Sequence, residues 1–196
     1  KAEDQERGPD EFHGVGGPLR VSDQRFTNEI IDAVIEAAVQ AGIPRNNDFN
    51  GATQEGVGYY QGTIGNGRRW SAATAYLKPA RDRKNLVVMP EAHATRLLIE
   101  NGRAVGIEFR TPRGLQTASC RGEIVVSGGV YGSPQLLLLS GIGPGAHLRE
   151  MGIGVQRDLP VGANLHDHFN SFVAWKAKKA VTLNDLARSP VAKLRA

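Results

Sequence analysis

Apolar residues change period along this chain, from helical spacing near the N-terminal third to strand-like runs in the middle and back to a leucine-rich helix. From Asn28 to Ala41 the positions Ile30, Ile31, Val34, Ile35, Ala38 and Val39 recur at helical spacing, which predicts a helix packed on a core. Thr27 is its expected cap, Gly42 its stop, and Pro44 prevents continuation. The first 26 residues, rich in Gly, Pro and charge, predict an extended surface arm. Gly58 to Ile64 alternates loosely like a strand, Gly65-Asn-Gly67 signals a turn, and Ser71 is placed to cap a short Ala-rich helix ending near Pro79.

Four strand candidates follow: Asn85 to Met89, Ala94 to Glu100, Arg103 to Phe109, and Leu115 to Ser127 with a break around Arg121. Asn101-Gly102 marks a tight hairpin, since both residues tolerate positive φ. A β-meander is therefore expected. Within the last run, Glu123-Ile-Val-Val-Ser127 suits a buried strand, Gly128 and Gly129 a turn, and Ser133 the cap of a helix whose first residue is Pro134. Such a unit brings unpaired helix N–H groups and a positive helix end to a sheet edge, where nucleotide cofactors often lie. A second short helix is predicted from Ala146 to Met151, ended by Gly152.

At 196 residues the chain suits one domain, or one and a fraction. The 24 Lys and Arg outnumber the 20 Asp and Glu, but they are scattered, which argues against nucleic-acid binding. The densest basic cluster, Arg81-Asp-Arg-Lys84, reads as a solvated loop. A single cysteine, Cys120, excludes an internal disulfide and suits a reducing, cytoplasmic setting; it lies in an expected strand, as an inert half-buried thiol. No run approaches the ~20 apolar residues of a transmembrane helix.

Other patterns invite chemistry and fail on context. Gly141-Ile-Gly143-Pro-Gly-Ala146 matches Gly-x-Gly-x-x-Ala, the basis of a rival reading as a nicotinamide-dependent dehydrogenase, but it follows a leucine helix instead of a strand. His166-Asp-His168 offers metal-ligand chemistry without a third ligand in register, while His13, His93 and His147 stand isolated in sequence, so no metal is expected. Ser133 lacks the Gly-x-Ser-x-Gly setting of a nucleophile elbow. Trp70, Tyr59 and Tyr60 suit either a core or the wall of a chamber.

The run Gly132-Ser-Pro-Gln-Leu-Leu-Leu-Leu-Ser-Gly-Ile-Gly-Pro144 closely resembles the second signature of the glucose–methanol–choline (GMC) oxidoreductases, with Val130 where the family has a small residue after the first Gly. The resemblance extends through Phe12 to Asp23, Asp48 to Gln61, Asn66 to Ala80 and Val161 to His168. It implies an α/β fold, α+β within this stretch: an incomplete FAD-binding domain with a β-meander and part of a substrate domain. The family's Gly-x-Gly-x-x-Gly opening and its catalytic histidine region do not occur in the sequence, so residues 1–196 are expected to be the central part of a longer enzyme, inactive alone, whose partners are a small alcohol and the remaining parts of the same enzyme.

By resemblance, FAD is the cofactor, an alcohol is oxidised to an aldehyde, and Gly129 and Ser133 border the cofactor. Ala94 stands where the family presents main-chain groups to the FAD adenine, an ordinary strand residue being the alternative. The loop from Asn164 to His168 is expected near the substrate chamber or as a purely structural loop. Asn170 occupies the position at which choline-oxidising relatives carry a Glu counter-ion, which implies a neutral alcohol substrate. A non-catalytic fragment that packs against a partner is the remaining alternative.

Overall fold

The computed structural model describes residues 2–179, 182, 184 and 185. The described residues divide into two units: those up to Leu86 together with those from Val173 onward, and Val87–Phe172.

In the first unit the N-terminal residues are not an extended arm. Strand β1 (Glu3–Gln5) pairs in parallel with β2 (Leu19–Val21), and Gln5, His13 and Ser22 are buried. A segment dense in Gly and charge folds inward because its polar side chains find partners, some near in sequence and some distant. The Gly14 amide donates to Glu3 Oε1 at 2.9 Å, and the Gln5 and Gln61 side-chain amides meet at 3.0 Å.

Helix α1 (Glu29–Gln40) forms where the periodicity places it, but its cap is Asn28. Asn28 is extended, with φ −139° and ψ 133°, and its side chain accepts from the Ile30 amide at 3.0 Å; Thr27 stands one residue too early for that bond. The Gly42 amide donates to Val39 and the Ile43 amide to Ala38, closing the C-terminus with two bonds. Ile35 is buried, whereas Val34 is 59% exposed, so the packed stripe is narrower than the pattern suggests.

Gly58 to Gly62 form no strand. The hairpin is only β3 (Ile64–Gly65) and β4 (Arg68–Arg69), turned by Asn66-Gly67. The Ala-rich segment Ala73–Leu77 is π-helical and continues as α2 (Lys78–Ala80); Ser71 Oγ accepts from the Thr74 amide at 3.3 Å.

The second unit is built on the meander. Strands β5 (His93–Glu100), β6 (Arg103–Thr111) and β7 (Gly114–Ser119) form an antiparallel sheet in that order. Asn101 and Gly102 turn the first hairpin at φ 49° and 76°, the left-handed geometry that a two-residue loop requires. Leu97 and Phe109 on the sheet are buried.

Two expected strands are absent. Asn85 to Met89 and Glu123 to Ser127 run without regular structure, with Val87 79% and Val125 81% exposed. Their β-branched composition suits a sheet, but a strand exists only through its neighbour's hydrogen bonds, and no described segment pairs with either. Cys120 accordingly lies just beyond β7, half-buried, with Sγ 3.2 Å from the Glu123 carbonyl.

Helix α3 (Gly129–Leu139) starts five residues earlier than its sequence cap suggests. Gly128 is the N-cap, Pro134 lies inside the helix, and Ser133 Oγ instead accepts from the Gly128 amide at 2.9 Å. The chain then forms β8 (Ile142–Gly143), α4 (Gly145–Glu150) and β9 (Arg157–Asp158), with β8 and β9 parallel. Leu148 of α4 is fully buried. Leu148→Ala should therefore lower the unfolding free energy of the full-length protein by about 2–5 kcal/mol, measured by urea denaturation.

Candidate functional site

The three residues expected at the cofactor all belong to the second unit. Ala94 is half-buried near the start of β5, an edge strand whose register with β6 slips between Ala94 and Arg96. A register slip on an edge strand turns main-chain groups away from the ladder, where another molecule can reach them. Gly129 opens α3 at φ 80°, and no atom lies within 4 Å of where its Cβ would be. An L side chain would be strained there by backbone geometry, and the space above the turn is open.

The first turn of α3 carries no acidic side chain, so its partial positive charge is not offset locally. The Ser133 hydroxyl braces this turn, its oxygen accepting from the Gly128 amide.

What fixes α3 against the sheet is Ser140, the residue just after it. Its hydroxyl accepts from the Leu97 amide at 2.8 Å and donates to the Leu136 carbonyl at 2.6 Å, and Ser140 is only 7% exposed. Beside this joint lies a cleft of about 360 Å³ lined by Arg96, Leu98, Ser140, Gly141 and Gln156 among others; Ala94, Gly129 and Ser133 do not line it. Across β5 and β6, Glu108 accepts from Thr95 Oγ1 at 2.8 Å and pairs with Arg96 at 3.1 Å. The Thr95 hydroxyl and then the Arg96 guanidinium hold its carboxyl below the usual range.

The glycine pattern after α3 packs against protein. A Cβ on Gly141 would collide with the Gly154 carbonyl, and one on Gly143 with the Leu138 side chain. These glycines permit close contact between β8, α3 and the 153–156 segment, so the rival phosphate-binding reading loses its physical basis.

His166, Asp167, His168 and Asn170 lie in an irregular exposed stretch; the His168 amide donates to Asp167 Oδ1 at 2.7 Å. No described residue of this unit encloses His168 or Asn170 in a chamber.

In the first unit, Tyr59 and Tyr60 border a cleft of about 200 Å³ with Arg7, Asp23 and Asn47. Tyr59 Oη donates to Asp32 at 2.8 Å, while Tyr60 stacks on Phe49 with ring centroids 4.5 Å apart. Trp70 Nε1 donates to the Pro18 carbonyl at 2.8 Å, and Arg20 lies over its ring. These aromatics mainly pin loops together.

His13 is not isolated. Its Nδ1 lies 3.0 Å from both carboxylate oxygens of Asp10, and its Nε2 lies 3.6 Å from Asp48 Oδ1. The Asp10 hydrogen bond raises the His13 pKa above its ordinary value, burial opposes this, and Asp48 adds to the rise. Asp10, His13 and Asp48 form the one cluster among the described residues with metal-ligand spacing. Each carboxylate faces a different ring nitrogen, so a protonated ring answers both without an ion. Sequence spacing could relate Asp10 to His13; Asp48 is a long-range neighbour that only the fold supplies.

An open glycine turn at a helix start in a mixed α and β unit suits the approach of a nucleotide cofactor. Solved structures agree: a pyridoxine 4-oxidase from Mesorbium loti superposes with a TM-score of 0.76 at 35% identity, covering 81% of this chain and 31% of that one. An FAD-dependent oxidoreductase from Chaetomium thermophilum shares the fold, with a TM-score of 0.74 at 24% identity over 82% of this chain and 30% of that one. The GMC oxidoreductase family profile matches residues 3–170, and the chain belongs to that family, whose cofactor is FAD. Among curated relatives, an oxygen-dependent choline dehydrogenase from Rhizobium etli is 47% identical over 177 residues, which are 90% of this chain and 32% of that protein. The chain thus spans about a third of the length of the relatives it matches.

Because the Ser140 hydroxyl serves both helix and sheet, Ser140→Ala leaves the buried Leu97 amide without its acceptor. It should cost about 1–3 kcal/mol of stability, read from chemical unfolding of the full-length protein.

Proposed function

We propose that the full-length protein is an FAD-dependent oxidoreductase that converts an alcohol to an aldehyde, and that residues 1–196 are the central part of its FAD-binding domain. The observation that carries this reading is the family match across residues 3–170. Bound FAD supplies the hydride acceptor for such a reaction.

The parts assigned to this chain are binding and orientation. The main chain at Ala94, beside the register slip of the edge strand β5, can pair with the adenine edge through N–H and C=O groups. The open turn at Gly129 lets the cofactor approach the start of α3, where unpaired amides favour a negatively charged group. The role of Ser133 is to brace that turn through the Gly128 amide. His168 and Asn170 belong to the substrate side, where they contribute to the alcohol site.

Asn170 carries no charge, so it cannot offset a buried quaternary ammonium, and a neutral alcohol is the substrate this position favours. A second reading, choline itself, is favoured by the likeness to oxygen-dependent choline dehydrogenases.

Two measurements test these assignments. Gly129→Val forces a branched side chain into a left-handed turn, and the purified full-length variant should hold less than about a tenth of the flavin of the parent by visible absorbance, a loss of at least about 1.4 kcal/mol in binding. Retention of full flavin content would remove Gly129 from the cofactor site. For the substrate, kcat/KM of the full-length enzyme should be higher for uncharged primary alcohols than for choline; the reverse order selects the choline reading.

A further inference from the structure

His13 is 5% exposed and lies between acidic groups from three segments of the first unit. Asp10 comes from its own turn, Asp48 from the loop after Arg45, and Glu3 from β1, where its Oε1 also accepts the Gly14 amide. A neutral imidazole has one donor and one acceptor, whereas carboxylates only accept. With both ring nitrogens facing carboxylate oxygens, the neutral ring must turn a lone pair toward one of them. The imidazolium donates to Asp10 and faces Asp48 as an ion pair at 3.6 Å.

The contact with Asp48 reaches into a loop that organises much around it. Asp48 Oδ1, the oxygen facing His13 Nε2, also accepts the Asn50 amide at 3.0 Å, and the Asp48 amide donates to Asn46 Oδ1 at 2.7 Å. The preceding residue, Asn47, gives its carbonyl to Arg7 at 2.6 Å, and the following one, Phe49, stacks on Tyr60. Arg7, Asn47 and Tyr60 border the same cleft.

We infer that protonated His13 is a clasp that closes the 46–51 loop onto the N-terminal turn, and that loss of its proton loosens this loop and the cleft edge beside Tyr60. The direction of the pH effect follows from the ring's environment. Three acids raise the folded pKa above the ordinary 6.5. The stabilisation is therefore complete below the unfolded value and is lost as pH rises through the folded one. Asp10, held below its ordinary value mainly by the His13 hydrogen bond, adds stability that is lost in acid as pH falls through its folded value. The clasp is independent of the redox reading above, since it rests on none of the residues assigned to FAD or the alcohol.

Hydrogen–deuterium exchange by mass spectrometry on the full-length protein tests it, from about pH 6 to about pH 9, with rates corrected for the intrinsic pH dependence of exchange. Protection of peptides covering 46–51 should fall about fivefold or more across the upper part of this range, while peptides from β6 stay constant. Asp48→Asn keeps an oxygen for the Asn50 amide but removes a charge, so it should move the midpoint to lower pH. His13→Gln should abolish the pH dependence. Constant protection in the parent protein, an unmoved midpoint in Asp48→Asn, or loss of protection on adding a chelator at about pH 6.5 overturns the clasp, the last in favour of a bound metal.

Discussion

The second unit depends on a single hydroxyl. Ser140 ends α3, and by accepting the Leu97 amide it occupies the outward-facing donor of an edge strand that would otherwise need water or another strand. By donating to Leu136 it also adds a second bond to a carbonyl in the last turn of its own helix, which the Ser140 amide already bonds. One small side chain thus sets where the last turn of α3 meets β5. The two elements it joins carry Ala94 on one side and Gly129 with Ser133 on the other. A larger residue would push the helix away from the sheet, and an apolar one would leave the Leu97 amide unanswered in a place only 7% exposed.

What the sequence made legible in this unit is whatever local chemistry decides. Asn101-Gly102 determines its hairpin because a two-residue loop needs left-handed residues, and β5 to β7 follow from alternation on either side of it. The leucine run is helical because four adjacent leucines after Ser133-Pro134-Gln135 have no turn residue among them. The start of α3 was not legible, since Ser133-Pro134 is a good start signal and nothing local reveals that Gly128 and Gly129 let the helix begin earlier. Val87, Val88, Ile124 and Val125 have strand composition, but strandhood belongs to a pair of segments, and composition describes only one.

The first unit fails sequence reading for the opposite reason: its order is polar and long-range. Charge and glycine density predict an exposed arm when each side chain is considered alone, because an unpaired polar group prefers water. Here Glu3, Gln5, Asp10, His13 and Arg7 find partners near them in space, some as distant in sequence as Gln61, and the burial of Gln5 and His13 follows from pairing instead of hydrophobicity. No periodicity encodes this. The same holds for His13 as a candidate site residue, whose neighbour Asp48 is thirty-five positions away.

Motif and geometry carry different parts of the functional reading. Gly132 to Pro144 is conspicuous as a string, yet its glycines divide by what surrounds them. Gly129, just upstream, faces open space at positive φ, whereas Gly141, Gly143 and Gly145 are filled in by Gly154, Leu138 and Asp158. A glycine with free space over it can admit a ligand's approach; a glycine with a carbonyl against it has already spent its missing side chain on packing. That distinction separates the flavin reading, which uses the turn before α3, from the nicotinamide reading, which needed the turn after it. The packing at Gly141, Gly143 and Gly145 counts against the nicotinamide reading independently of the family assignment, which rests on the whole length of the match.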